Sequence, residues 1–305
     1  MQQYMFSSKK LIANTIMSNV VYGGLLLAQS VAAAEQTVST DMKMHSVHSH
    51  FLLSAVPDEP INYRVLTIRN GRSFSARTVH AEQKGEIVKS CQISFHKNEK
   101  PAIKHQIEMP KVPEPEECTE LHEGIENLLR KYSTPNGKLD KQSKVPFVED
   151  RLMAQWQLFE VCLFLTKLIR LIQVRPTSVE QFLGYALCDK TSYVWFRSRQ
   201  KLSDDPKIHR LMLLYNTDST ICVTPVRYHQ SRGFIPSQFT SLDHSVWLHR
   251  DDFRSDEWML YENKSIVADQ GRSFAEGSFW TRDGHLICST AQEALVRTRT
   301  ARSHL

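Results

Sequence analysis

The same run of strand-forming residues occurs twice in this chain, and that duplication limits what it can fold into more than any single residue does. Residues 239–297 read as four consecutive strands with short polar turns. Of these, 240–248 alternates (TSLDHSVWL), 258–268 is rich in apolar residues, 273–280 keeps a period of two, and 286–296 closes the set. Asp283-Gly284, between the last two, tolerates the positive φ that a tight hairpin turn needs. Upstream, Gly71-Arg72-Ser73-Phe74 returns as Gly271-Arg272-Ser273-Phe274. Gly85 precedes its strand as Gly284 precedes the last one, and HSVHSHFLL parallels LDHSVWLHR. A repeat about one domain-length long predicts two similar folding units.

The 305 residues are enough for two such units, each with its own core, and 41% hydrophobic with 23% charged residues is an ordinary globular composition. A net charge of +5, with the basic residues scattered, does not fit a nucleic-acid binder; it suits an anionic ligand such as a phosphate-bearing carrier. The six cysteines, at 91, 118, 162, 188, 222 and 288, form no C-x-x-C pair. They read as buried, reduced thiols with neither a disulfide framework nor a zinc site.

Taken in order, residues 1–36 imitate a secretory signal, with Lys9-Lys10, the apolar run 20–31 and the tail Ala32-Ala33-Ala34. The polar lead is long, however, and the apolar run contains Gly23, Gly24 and Gln29, so the segment reads better as a strand over 4–12 and a buried helix over 23–36. Strands are expected at 46–53, 61–69, 73–80 and 86–95, giving a first unit over 1–103. Residues 104–147 form a charged, proline-rich linker in which 110–117 is extended and solvated and 117–131 forms a short helix. The second unit covers 148–302: a strand at 193–199, a helix from 207 to about 223 opened by Ser203-Asp204-Asp205-Pro206, and then the four strands. Both units are a helix with an antiparallel sheet, an α+β chain. The run 158–174 is apolar but too short, and too charged at Lys167 and Arg170, to cross a membrane.

Serine-hydrolase, dinucleotide and H-E-x-x-H metal motifs are all missing. Three polar residues stand where a core would not choose them. Asp218 falls inside the apolar helix LMLLYNTDSTICV, Ser241 opens the LDHS strand, and Gln292 interrupts the last strand. Aligning Gly85 with Gly284 sets Ile93 opposite Gln292, so one unit has an apolar residue where the other has an amide. A carboxylate, a hydroxyl and an amide converging on one point can hold a water, with Asp218 accepting its proton and Ser241 and Gln292 fixing its direction. That set suits hydrolysis of an activated acyl group without a covalent intermediate. The ordinary readings are a surface acid, a strand hydroxyl and a solvent-facing amide. His244 and His249 are further acid/base candidates. His45, His48 and His50 have strand spacing that does not aim three rings at one metal, and Trp195, Trp247, Trp258 and Trp280 read as core or acyl-pocket aromatics.

These residues resemble the acyl-CoA thioesterase II family, in particular its peroxisomal members. The likeness runs through YGGLLLAQS, HSHFL, GRSFSARTV, SLDHSVWLHR, EWMLYE and STAQEALVR, nearly the whole chain. It implies a double hotdog, two antiparallel sheets each wrapped around a central helix. It also implies a catalytic water held by Asp218, Ser241 and Gln292, and an acyl-CoA substrate with no metal or other cofactor. Self-association is left open, and two rivals remain: a hotdog enoyl-CoA hydratase or dehydratase, and an inactive acyl-CoA-binding relative. The final Ser303-His304-Leu305 resembles the S-K-L address that a peroxisomal import receptor reads. Two departures from the family pattern are Leu25, where a glutamine usually follows the two glycines, and extra apolar residues over about 161–173.

Overall fold

A computed structural model describes residues 2–8, 13–14, 20–132, 171–234 and 236–298. The alternating segments become long strands. The first half contains β1 Gln3–Ser7, a small pair β2 Ala13–Asn14 and β3 Val20–Val21, helix α1 Gly23–Glu35, and the meander β4 Met42–Phe51, β5 Asn62–Asn70, β6 Phe74–Gln83 and β7 Glu86–Lys97. After α2 Leu121–Tyr132 come β8 Ile172–Pro176, α3 Val179–Phe182, β9 Thr191–Ser198, α4 Pro206–Thr217 and α5 Val223–Gln230. The chain closes with β10 Pro236–Ser241, β11 Asp243–Leu248, β12 Met259–Asp269, β13 Arg272–Thr281 and β14 Leu286–Thr298.

Among the described residues, twelve of these strands share one antiparallel sheet in the order β1-β5-β6-β7-β4-β11-β14-β13-β12-β9-β8, with β10 pairing on β14. The order is nearly symmetric about the β4–β11 pair, with β4-β7-β6-β5-β1 on one side and β11-β14-β13-β12-β9 on the other, β8 extending the second arm. Strands β4 and β11 carry the parallel HSVHSHFLL and LDHSVWLHR runs, and they pair with Val47 opposite Val246 and Ser49 opposite His244. Gly85 and Gly284 hold φ of 85° and 88° at equivalent hairpins, conformations that a side chain disfavours.

Helix α1 packs on the face formed by β4 to β7 and buries Leu26, Leu27, Val31 and Ala34. Its far end is held by Arg77, whose guanidinium donates to Thr37 O and Oγ1, Arg69 O and Asn70 Oδ1. Helix α4 lies along α1, joined by a nearly buried Arg210–Glu35 pair at 2.6 Å. Its start is as the sequence implies: Asp205 accepts from Lys207 N at 2.9 Å and Pro206 opens the first turn.

Its end is not. The helix expected to reach residue 223 stops at Thr217, because Thr217 Oγ1 donates to Leu214 O and Ser219 Oγ to Asn216 O, each closing a carbonyl of the last turn. Asp218 is therefore the C-cap of α4 rather than an interior helical acid, and a separate α5 begins at Val223. The run 240–248 likewise divides at Leu242, whose N–H donates to Glu293 O.

Residues 110–117 are largely exposed, as expected, but they are also docked. They lie as a strap over the face of the second half-sheet opposite the main core, where Cys118, Trp195, Trp258, Leu260 and Trp280 form a second apolar cluster with Met109 and Val112 against it. Trp195 Nε1 donates to Pro113 O at 2.9 Å, and Arg282 pairs with Glu114 and Glu116. Three of the four tryptophans are thus outer-core residues, while Trp247 is half-exposed against His48. Cys91, Cys118, Cys188, Cys222 and Cys288 are free thiols. Cys162, the extra apolar residues up to 170 and the tail 303–305 lie outside the described residues.

Candidate active site

The turn that ends α4 projects Asp218 back toward the start of α1. That approach requires Gly23-Gly24: a Cβ on Gly23 would stand 2.6 Å from Asp218 Oδ2, and one on Gly24 would overlap the carbonyl oxygen of Tyr215. The helices are further stitched by Tyr22 Oη, which donates to Tyr215 O at 3.0 Å. The Gly24 N–H points at the Asp218 carboxylate from the N-terminus of α1, where unpaired amides favour negative charge.

Strand β14 brings Gln292 to the same point, fully buried, and β10 ends there with Ser241. Gln292 Nε2 donates to Asp218 Oδ1 at 2.7 Å and to Ser241 Oγ at 2.8 Å. The structure thus gathers all three sequence candidates through one amide. Both amide hydrogens are committed, and Gln292 Oε1 is buried without a protein partner among the described residues. Burial pushes the Asp218 carboxyl up to about 6, against the lowering effects of the Gln292 bond, the Lys89 charge and the Gly24 N–H. A carboxyl poised there, beside an acceptor oxygen and a hydroxyl, can orient a water and take its proton near neutral pH.

The histidines stand elsewhere. His244 is buried beneath the end of α4, hydrogen-bonded to Thr217 Oγ1 at 2.9 Å, and burial pulls it down to about 3, so it is a neutral support. Thr217 O in turn accepts from Tyr261 Oη at 2.7 Å. His249 is an exposed residue bonded to Ser289 Oγ. His45, His48 and His50 do not converge, and no group of three metal-ligating side chains is present among the described residues. Leu25 packs half-buried against the main core. Sequence reasoning missed what Phe51 and Lys89 of the first half contribute, both facing Asp218 or its immediate neighbours.

Residues 164–295 match the family model described as acyl-CoA thioesterase, and residues 13–96 match the acyl-CoA thioesterase N-terminal domain. The chain is 35% identical to acyl-coenzyme A thioesterase 8 of Mus musculus over 92% of this chain and 82% of that protein. It is 24% identical to peroxisomal acyl-coenzyme A thioester hydrolase 1 of Saccharomyces cerevisiae over 95% and 90%. Among solved structures, acyl-CoA thioesterase II TesB2 from Mycobacterium marinum superposes with a TM-score of 0.72 at 27% identity, covering 97% of this chain and 94% of that one. A protein of unknown function with a hot dog fold from Alicyclobacillus acidocaldarius superposes at 0.67 with 16% identity, covering 98% and 94%. These neighbours show a hotdog-type antiparallel fold.

Proposed function

Because the chain belongs to the acyl-CoA thioesterase family, we propose that it hydrolyses acyl-CoA to free fatty acid and CoA through a water held by Asp218, Ser241 and Gln292. The observation that carries the assignment of residues is the Gln292 amide bridging Asp218 and Ser241 at 2.7 and 2.8 Å. In this reading the water gives one proton to Asp218 and donates a hydrogen bond through its other hydrogen to Gln292 Oε1, which no protein group uses among the described residues. The water oxygen attacks the thioester carbonyl carbon. As the tetrahedral intermediate collapses, the C–S bond breaks and the proton on Asp218 passes to the departing thiolate. Ser241 braces the amide, and no metal or organic cofactor takes part.

Three further features belong to the same proposal. The near-symmetric sheet order supports a double hotdog, with one unit over 1–103, a connector over 104–147 and a second unit over 148–302, each wrapped around its helix. The likeness to the peroxisomal hydrolase of Saccharomyces cerevisiae supports a peroxisomal location, with the tail 303–305 as the candidate address for an import receptor. As for membranes, no helix among the described residues is long and apolar enough to cross one.

The test is free-thiol release from short-, medium- and long-chain acyl-CoA esters by the wild type and by Asp218→Asn. The wild type is expected to release thiol and the variant to be slower by about 10² or more. Equal rates would remove Asp218 from the chemistry.

A further inference from the structure

Lys89 is the least expected residue in the core. It lies on β7, whose inward-facing positions Lys89, Cys91 and Ile93 are all buried, and its side chain is fully enclosed. Its Nζ has no hydrogen-bond partner among the described residues. The ammonium sits 5.6 Å from the centre of the Phe51 ring, across the β4–β7 register in which Phe51 and Lys89 are opposite each other. That ring lies 3.0 Å from the point where a Cβ on Gly23 would stand, and Asp218 Oδ2 lies 2.6 Å from the same point. Lysine, ring, glycine and carboxylate thus adjoin, the lysine and the carboxylate both buried. The fold itself does not need a cation there: aligning Gly85 with Gly284 sets Lys89 opposite Cys288, a buried thiol.

We propose that Lys89 is a positioning residue for the hydrolytic reaction, supplying from the first half of the chain the positive charge that balances the Asp218 carboxylate. This rests on the thioesterase reading above. An enclosed ammonium without hydrogen bonds is costly, and a buried carboxylate of opposite sign is the partner that offsets that cost. The other titratable groups around Asp218 do not supply the charge. Tyr22 ahead of α1, Tyr215 on α4 and Tyr261 on β12 are pushed up by burial, as is Cys222 ahead of α5, so all stay neutral. His244 on β11 is held neutral by burial and then by Lys89, and Arg227 on α5 faces Phe182 and the Cys188 and Cys222 thiols instead. Burial lowers Lys89 itself, against the Cys91 thiol and the Asp218 carboxylate, and the Lys89 charge in turn favours the ionised form of Asp218, against burial. Without it, the carboxylate should form only at higher pH.

The experiment measures kcat/KM for decanoyl-CoA from pH 5 to 9 with wild type, K89M, K89Q, K89R and D218N, together with melting temperatures of K89M in the wild-type and D218N backgrounds. K89M and K89Q remove the charge and keep most of the volume. Both should shift the acid limb upward by about one pH unit, an about tenfold loss at pH 5 that closes by pH 9, while K89R keeps the wild-type limb. The change in melting temperature caused by K89M at pH 8 should depend on whether Asp218 is present. A uniform loss at every pH in the folded variants, with no dependence on Asp218 in the melting data, would overturn the proposal and leave the thioesterase standing. A folded wild type that releases no thiol would instead overturn the thioesterase reading, and the melting data would still decide whether Lys89 and Asp218 are paired.

Discussion

Asp218 has few escapes from its own charge: it is almost wholly buried, and burial is the largest influence on its titration. A carboxyl raised in the folded state to about 6 binds its proton more tightly there than in the unfolded chain, where it titrates near 4. The stability this lends is complete below the unfolded value and is lost as pH rises through the folded one. Asp218→Asn should therefore raise stability above pH 7 by roughly 1–3 kcal/mol, with the gain fading below about pH 4, as chemical denaturation across that range would read. A gain independent of pH would contradict the buried-charge account. The duplicated positions 93 and 292 make a second comparison. Ile93 is buried in the main core and should cost about 2–4 kcal/mol as Ile93→Ala, with turnover lost only through unfolding. Gln292→Ala takes the donor from Asp218 and Ser241, and turnover of the folded protein should fall. Similar behaviour of the two variants in stability and turnover assays would undo the idea that the halves differ in role.

At the scale of elements, the strap over the second half-sheet is held by side chains that are remote in sequence. Trp195→Phe removes the donor to Pro113 O and should cost about 1–2 kcal/mol. Limited proteolysis within residues 98–120 should quicken in the same variant, and unchanged cleavage would mean that apolar packing alone seats the strap. The main strands, the start of α4 and the glycine hairpins were legible in the sequence because local rules decide them: a period of two, an Asp-Pro start, a positive φ at Gly85 and Gly284. Local rules could not show that hydroxyl groups end α4 one residue before Asp218, since apolar spacing continues past that point. Nor could they reveal the docking of 110–117, whose charge and prolines read as solvated while its partners Arg175, Trp195 and Arg282 lie far along the chain. The convergence of Asp218, Ser241 and Gln292 was partly legible through their oddness against an apolar background. Lys89 was not, because a lysine in an alternating strand reads as an outward residue.

The whole molecule is bound along one seam. β4 and β11 pair through Val47 and Val246, both fully buried, and a single core cluster runs through both halves. Unfolding in denaturant should therefore follow one transition, with tryptophan fluorescence and backbone circular dichroism coinciding. Two separated transitions would show that the halves are independent. The candidate residues also meet groups from across that seam. Asp218, Ser241 and Gln292 come from one half, the Gly24 amide and Lys89 from the other. Two separate proteins would have to find each other at every concentration to assemble such a set. Here the covalent chain keeps their local concentration high and constant, so no dilution can part the acid from the groups that face it.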